Sequence, residues 1–188
     1  MPKSKDDNRR RYIVEPLARS AIIDGLANHF DFIEEVEAIN ADGNVLRIDA
    51  VAICRKTDWI FGLEFKRSHL FKSEFADAMR QGINYRLSRV TDARLPKMKG
   101  MQLPAIALFP DWLGEHDDGV SEYAKEAEGM RLVGAQFRVG TLRQSGDDQF
   151  AFIMGQSAIW HSSSGWNKNA EGVLFGKRGL GATRKKDC

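Results

Sequence analysis

The stretch that decides the fold is residues 46–85, LRIDAVAICRKTDWIFGLEFKRSHLFKSEFADAMRQGINY. Two apolar runs in it, LRIDAVAI and WIFGLEFK, are typical of strands and carry Asp49, Glu64 and Lys66. Side chains alternate along a strand, so Glu64 and Lys66 are predicted to share one face while Phe65 points to the other. Charged groups on apolar strands need water, a partner or a metal ion, because burying them alone is costly. The stretch therefore predicts a site built on two neighbouring strands.

A helix is predicted directly after the second strand, over residues 74–87. Phe75, Met79 and Ile83 form its packed face, and Gln81 and Tyr85 lie one above the other at i, i+4. Gly82 weakens such a helix by about 1 kcal/mol relative to alanine. We therefore expect close packing at Gly82.

The flanking patterns predict a mixed fold, α/β or α+β. Ala18, Ile22, Leu26 and Phe30 recur every fourth residue, which indicates a first helix. Further elements are predicted as strands at 32–39, 45–53, 59–66 and 104–109, a helix at 122–130, and strands at 134–142 and 149–160. The hairpin turn at 40–44 contains Gly43, which is free to take positive φ. Helices are expected to pack on a central sheet that has extra strands towards the C-terminus.

Composition is that of an ordinary soluble globular protein, with 188 residues, 43% apolar and 29% charged. We expect a single domain over 12–160, a basic flexible arm at 1–11 and a Gly-, Ser- and base-rich extension at 161–188. No run approaches the roughly 20 apolar residues that span a bilayer, and the N-terminus does not resemble a secretory signal. The expected location is cytoplasmic, without a membrane partner.

Basic residues are segregated, which favours a polyanionic partner despite a net charge of only +2. One cluster lies in the N-terminal arm and another follows the Gln81 helix. Terminal charge runs are also common as solvated tails, so the internal cluster is the stronger signal. The candidate nucleic-acid-binding residues are Arg9, Arg10, Arg11, Arg86, Arg89, Lys97 and Lys99.

The chemistry suited to these residues is phosphodiester hydrolysis. It needs a cation to neutralise charge on the phosphate and a water that acts as nucleophile. Mg²⁺ takes oxygen ligands, which Asp49, Glu64 and the backbone carbonyl of Phe65 offer. Lys66 would lie beside the metal, where its ammonium orients the water or stabilises developing charge. Glu64 and Lys66 could instead be a surface ion pair, which is the alternative reading of E-x-K alone.

Asp49 followed one hairpin later by Glu64-Phe65-Lys66 resembles the PD-(D/E)xK nuclease superfamily. Gln81 and Tyr85 resemble the Q-x-x-x-Y element of its RecB-like and lambda-exonuclease-type members. The resemblance covers about residues 12–110 and implies a restriction-endonuclease-like αβββαβ core. It also implies that Asp49 and Glu64 bind Mg²⁺ or Mn²⁺, that Lys66 assists the water, and that Gln81 and Tyr85 contact the site or the DNA.

The chain departs from the family pattern at two places. Ile48 stands where a proline is usual. The acidic residue that members often carry on the first helix has Glu15 as its nearest counterpart, and Glu34 or Glu35 could substitute. We therefore expect a Mg²⁺- or Mn²⁺-dependent deoxyribonuclease acting in DNA repair, recombination, phage DNA processing or restriction. The alternative is a nucleic-acid-binding or protein-interaction module that does not cut. Endo- or exonuclease action, DNA or RNA and homo-oligomerisation stay open.

Overall fold

A computed structural model describes residues 15–57, 59–66, 72–111, 122–146 and 148–166. In this part of the chain one mixed sheet of nine strands has the order β4-β1-β2-β3-β5-β6-β7-β8-β9. The pairs β3–β5 and β5–β6 are parallel, and the other neighbouring strands are antiparallel. The fold class is therefore mixed α/β, as predicted.

The elements follow one another along the chain as α1 (Glu15–Leu26), β1 (Phe30–Ile39), β2 (Val45–Cys54), β3 (Ile60–Phe65), α2 (Lys72–Leu87), β4 (Arg89–Val90), a 3₁₀ turn (Pro96–Met98), β5 (Ile106–Phe109), α3 (Glu122–Gln136), β6 (Val139–Gly146), β7 (Gln149–Met154), β8 (Ser157–His161) and β9 (Gly165–Trp166). β8 and β9 thus continue the sheet past residue 160. None of the helices in the described ranges combines the length and the apolarity that crossing a membrane requires.

Two apolar cores cover the two faces of the sheet. On one face Ile22 and Leu26 of α1 pack with Phe61 and Phe65 of β3 and with the aromatic side chain of Trp160. The other face lies under α2, and its core includes Phe75, Met79, Ile48, Ile60 and Ile106. Because side chains alternate along β3, Glu64 belongs to the α2 face while Phe65 belongs to the α1 face.

Most of the predicted elements agree with the structure to within a few residues, and two glycine predictions are confirmed. Gly43 has φ of +82° in the β1–β2 turn. A Cβ on Gly82 would lie 2.9 Å from Leu108 Cδ2 and from Val139 Cγ1, so α2 approaches the sheet closely at that glycine.

The C-terminal half was predicted less well. Residues 134–136 belong to α3 and not to a strand, because the helix continues to Gln136. Gly134 contacts Met79 of α2, where a Cβ would overlap the methionine sulfur. The single strand predicted over 149–160 is two strands, β7 and β8, that reverse at Gly155 with φ of +60°.

We expect Gly140→Ala in β6 to destabilise the fold by about 1–3 kcal/mol or more. A Cβ at this position would collide with the backbone carbonyl of Ile153 on β7, which cannot rotate away. The matched control is Gly129→Ala in α3, where a Cβ would meet no atom within 4 Å. That substitution should stabilise the helix by up to about 1 kcal/mol. Denaturant unfolding of both variants measures the difference, and equal stabilities would contradict the packing described here.

Candidate active site

Asp49 and Glu64 meet where β2 and β3 lie side by side. Ala50 pairs with Leu63 in the antiparallel register, so Asp49 and Glu64 occupy the next cross-strand position and share a face. The backbone N–H of Phe65 donates a 2.7 Å hydrogen bond to Asp49 Oδ2, which fixes the orientation of that carboxylate. The predicted pair of carboxylates is therefore brought together by the register of one hairpin.

The environment of Glu64 strongly disfavours its negative charge. Its side chain is only 1% exposed. Burial and the neighbouring Asp49 carboxylate raise the pKa of Glu64 to about 8, although the Lys66 ammonium opposes the shift. Within the described residues, Glu64 Oε2 is buried and has no hydrogen-bond partner. Side-chain hydrogen-bond contacts of Glu64 with Asp49 and Tyr85 contribute to the raised pKa values of Glu64 and Tyr85, so polar neighbours surround this carboxyl group.

Lys66 shares the face of Glu64 and contacts it directly. Its Nζ lies 2.5 Å from Glu64 Oε1, and its side chain is about a quarter exposed. Burial disfavours the ammonium, but the hydrogen bond to Glu64 and the charges of Glu64, Glu15 and Asp49 outweigh that effect and raise the pKa of Lys66. Glu15, the exposed first residue of α1, therefore lies close enough to Lys66 for its charge to act on that ammonium.

Gln81 and Tyr85 border the same carboxylates from α2. Gln81 Nε2 donates a 2.6 Å hydrogen bond to Tyr85 Oη. Burial, the charge of Glu64 and that of Asp49 all raise the pKa of Tyr85, so its hydroxyl stays protonated and can donate towards the carboxylates. All five residues predicted as catalytic, Asp49, Glu64, Lys66, Gln81 and Tyr85, thus occupy one region.

Arg19 on α1 is a site neighbour that the sequence analysis missed. Its guanidinium donates to the backbone oxygen of Asp49 at 2.7 Å and to Glu35 Oε1 at 2.6 Å. Glu34 Oε2 lies 2.9 Å from Arg19 Nε. Glu34 and Glu35 therefore neutralise Arg19, and neither stands beside Glu64 as a third acid. A single arginine at the edge of an amphipathic helix gives no sequence signal for this role.

A second feature that the sequence analysis did not predict stabilises β1 close to Asp49. Glu35 takes φ of +53°, and the β1–β2 ladder passes from the pair Glu34–Ala50 to the pair Val36–Ile48. Arg94 Nη2 donates to the carbonyls of Glu34 and Glu35, each at 3.0 Å. Asp92 is buried and accepts three hydrogen bonds from Arg94, the shortest 2.7 Å long. This Asp92–Arg94 pair, the Asp92–Arg94 clamp, therefore ties the segment after β4 to the irregular part of β1.

The predicted nucleic-acid-binding residues within the described ranges lie in the last turn of α2, in β4 and around the 3₁₀ turn. Arg86 is partly buried, and its Nη1 donates to Gln102 Oε1 at 3.0 Å. Burial and the charge of Arg138 lower the pKa of Arg86. Arg89 in β4 is exposed, as are Lys97 and Lys99 around the 3₁₀ turn. Arg9, Arg10 and Arg11 lie outside the described residues.

The residues present fit a divalent cation of the Mg²⁺ type. Two carboxylates converge in a largely buried position, one oxygen of Glu64 is unsatisfied, and both groups are hard oxygen donors. Among the described residues, no group of three or more His, Cys, Asp and Glu side chains is gathered here or elsewhere. A cation at this position would therefore rest on two protein carboxylates, a number that suits Mg²⁺ because it retains several waters.

Glu64→Gln should stabilise the metal-free protein at alkaline pH. The unfolded chain loses the Glu64 proton near pH 4.5, whereas the folded protein keeps it until about pH 8. Wild-type stability should consequently fall between these pH values and stay low above them. Glutamine cannot ionise, so the variant should melt several degrees above wild type at pH 9 and close to it at pH 4. Thermal melting in EDTA across this range measures the effect, and parallel curves would contradict it.

Asp92→Asn should have the opposite pH dependence. The hydrogen bond from Arg94 holds the pKa of Asp92 well below its ordinary value of 3.8. The carboxylate therefore contributes stability above about pH 4 and loses it as the pH falls further. We expect the variant to lose about 1–3 kcal/mol at pH 7 and the difference to shrink towards pH 3. Urea unfolding at the two pH values tests this, with the exposed Asp77→Asn as control.

Comparison with protein-family models, with curated proteins and with solved structures finds no match to this chain. The roles proposed below consequently rest on its own residues. In particular, these roles follow from the contacts among Asp49, Glu64 and Lys66.

Proposed function

We propose that this protein is a divalent-metal-dependent nuclease that hydrolyses phosphodiester bonds in DNA. The observation that carries the proposal is the convergence of Asp49, Glu64 and Lys66, in which a buried carboxylate retains an oxygen without a partner. Without a metal the raised pKa keeps Glu64 protonated at neutral pH, and a bound cation would favour its ionised form. An arrangement of this kind has a clear chemical use in a metal-dependent hydrolase.

Each residue has a distinct part in the proposed reaction. Asp49 and Glu64 would hold Mg²⁺ or Mn²⁺, which, when bound, supplies charge neutralisation at the scissile phosphate and a more acidic water. The positively charged Lys66 side chain lies beside the Glu64 carboxyl group, where it can orient the water and offset negative charge on the phosphate. The Gln81–Tyr85 pair presents hydrogen-bond donors from α2 and can position the substrate.

The order of elements supports a restriction-endonuclease-like core. Helix α1, strands β1 to β3, helix α2 and strand β5 follow one another, with only the two-residue β4 and a 3₁₀ turn between α2 and β5. β5 is parallel to β3, so the carboxyl ends of these two strands lie side by side. We assign the αβββαβ core of the PD-(D/E)xK nucleases on this order and on the site residues together.

DNA is the proposed partner because a cation on the two carboxylates would attract phosphate and because the chain exposes basic residues after α2. A metal on Asp49 and Glu64 removes the local repulsion of phosphate, while Arg89, Lys97 and Lys99 are exposed and available for backbone contacts. Binding by such contacts weakens steeply with salt.

Glu64→Gln, Asp49→Asn and Lys66→Ala should each reduce cleavage by at least about 100-fold, since losing charge stabilisation or proton transfer at a reacting centre has that effect. The assay is cleavage of linear, circular, single-stranded and branched DNA with Mg²⁺ or Mn²⁺. EDTA should abolish the wild-type reaction. Asp31→Asn is the matched control, because Asp31 is a largely exposed strand carboxylate paired with Arg55 and should leave activity unchanged.

A thermal-shift assay with divalent ions distinguishes a metal-binding nuclease from a module that binds DNA without cutting it. A divalent ion that binds Asp49 and Glu64 should raise the melting temperature of wild type but not of Asp49→Asn. Retained turnover in the Glu64 and Lys66 variants would refute the assignment. DNA binding without cleavage or a metal-dependent shift would favour the non-cutting binding module instead.

A further inference from the structure

A second polar cluster lies at the ends of β5 and β6. The Asp111 side chain is only 1% exposed, and three side chains donate to its carboxylate. Thr141 Oγ1 donates at 2.7 Å, Arg143 Nε at 2.6 Å and Arg131 Nη1 at 3.4 Å. Asp111 thus serves as a common anchor for two arginines from different elements, α3 and β6.

The charges within this cluster do not balance. Two guanidinium groups share one carboxylate, which leaves one positive charge in a mostly buried place. The Arg131 side chain is 9% exposed, and its Nε is buried without a hydrogen-bond partner among the described residues. Arg143 is 38% exposed, so its guanidinium reaches the surface. An anion would supply both the missing charge and the missing acceptor.

A cavity of about 290 Å³ lies beside these arginines. Its lining residues are Glu128, Arg131, Arg143, Ile153, Gly155, Gln156 and Ala158. Glu128 is the one carboxylate in the lining. Glu128 is exposed and accepts a hydrogen bond from Gln156, so solvent screens its charge more than that of the buried Arg131.

The cluster lies on the same face and at the same level of the sheet as the candidate active site. Glu64 pairs with Leu108, and Leu108 pairs with Thr141, so Glu64 and Thr141 are level and two strands apart. Two strand spacings place them roughly 10 Å from each other. Arg143 lies two residues farther along β6 than Thr141.

We propose that Arg131 and Arg143, held by Asp111, form a subsite for one backbone phosphate of the DNA strand that is cut at Asp49 and Glu64. The inference rests on the proposed nuclease function for its choice of ligand. Arg143 would make the contact from the surface, and Arg131 would complete it from inside the cavity. The subsite would bind a phosphate of the same strand away from the scissile bond and so set the register of the substrate.

Methylphosphonate scanning tests the subsite directly. A neutral methylphosphonate is walked one position at a time along a short DNA oligonucleotide, and Kd is measured in EDTA so that no cleavage occurs. In wild type, one position other than the scissile phosphate should weaken binding by about tenfold. In Arg143→Gln that position should have no further effect, and the slope of log K against log salt should decrease by about one contact.

Matched variants control for folding and for general charge. Arg55→Gln removes a half-exposed arginine six residues along β2 from Asp49, roughly 20 Å away, and should keep the wild-type scan. Arg143→Lys keeps a charge for Asp111 but loses the guanidinium fork, so it should show a weakened effect at the same position even if Arg143→Gln melts early.

Failure of the subsite and failure of the nuclease proposal give different results. Cleavage by wild type together with identical scans for wild type and both Arg143 variants would overturn the subsite and leave the nuclease intact. A scan that depends on Arg143 in a protein that cuts no DNA would overturn the nuclease and support the subsite. Where cleavage occurs, Arg143→Gln should raise KM without lowering kcat; a loss confined to kcat would overturn a binding role. Absence of any DNA binding by wild type would overturn the subsite as well.

Discussion

Two carboxylates forced together in a poorly solvated place are the constraint on which the other features of the site depend. Asp49 and Glu64 are opposed because the β2–β3 register admits no other arrangement once both apolar faces are covered. The surrounding contacts offset part of the repulsion. The Phe65 N–H holds Asp49, and Lys66 holds one oxygen of Glu64. One oxygen of Glu64 has no hydrogen-bond partner among the described residues, and the proposed cation would bind there.

The scaffold around this pair is rigid for identifiable reasons. Arg19 ties α1 to the backbone of Asp49, and the Asp92–Arg94 clamp ties the loop after β4 to the irregular part of β1. Both are charge-assisted contacts to backbone or buried carboxylate, which are stronger and more directional than neutral hydrogen bonds. Positioning of Asp49 is thereby shared among three elements that lie far apart in sequence.

Asp49 on β2, Glu64 on β3 and Thr141 on β6 are level in the sheet, and the buried Leu108 of β5 lies between Glu64 and Thr141. Parallel pairing brings the carboxyl ends of β3 and β5 to the same edge of the sheet, where Lys66 and Asp111 follow them. Crevices at such edges commonly bind ligands. The proposed cation site and the proposed phosphate subsite would together complement a metal-bound phosphodiester strand.

Residues 46–85 by themselves determined the two strands, the α2 helix and the four residues that lie near Glu64, because alternation and i, i+4 spacing are local properties of the chain. Sequence patterning was wrong where long-range packing decides, as at Gly134, which lies in α3 because that helix packs against Met79. Only the tertiary structure decided that one Glu64 oxygen has no hydrogen-bond partner among the described residues. The same is true of the ion pairs of Arg19 with Glu34 and Glu35, and of those of Asp111 with Arg131 and Arg143. These features depend on burial and on the juxtaposition of distant segments, and neither is encoded in the spacing of residues along the chain.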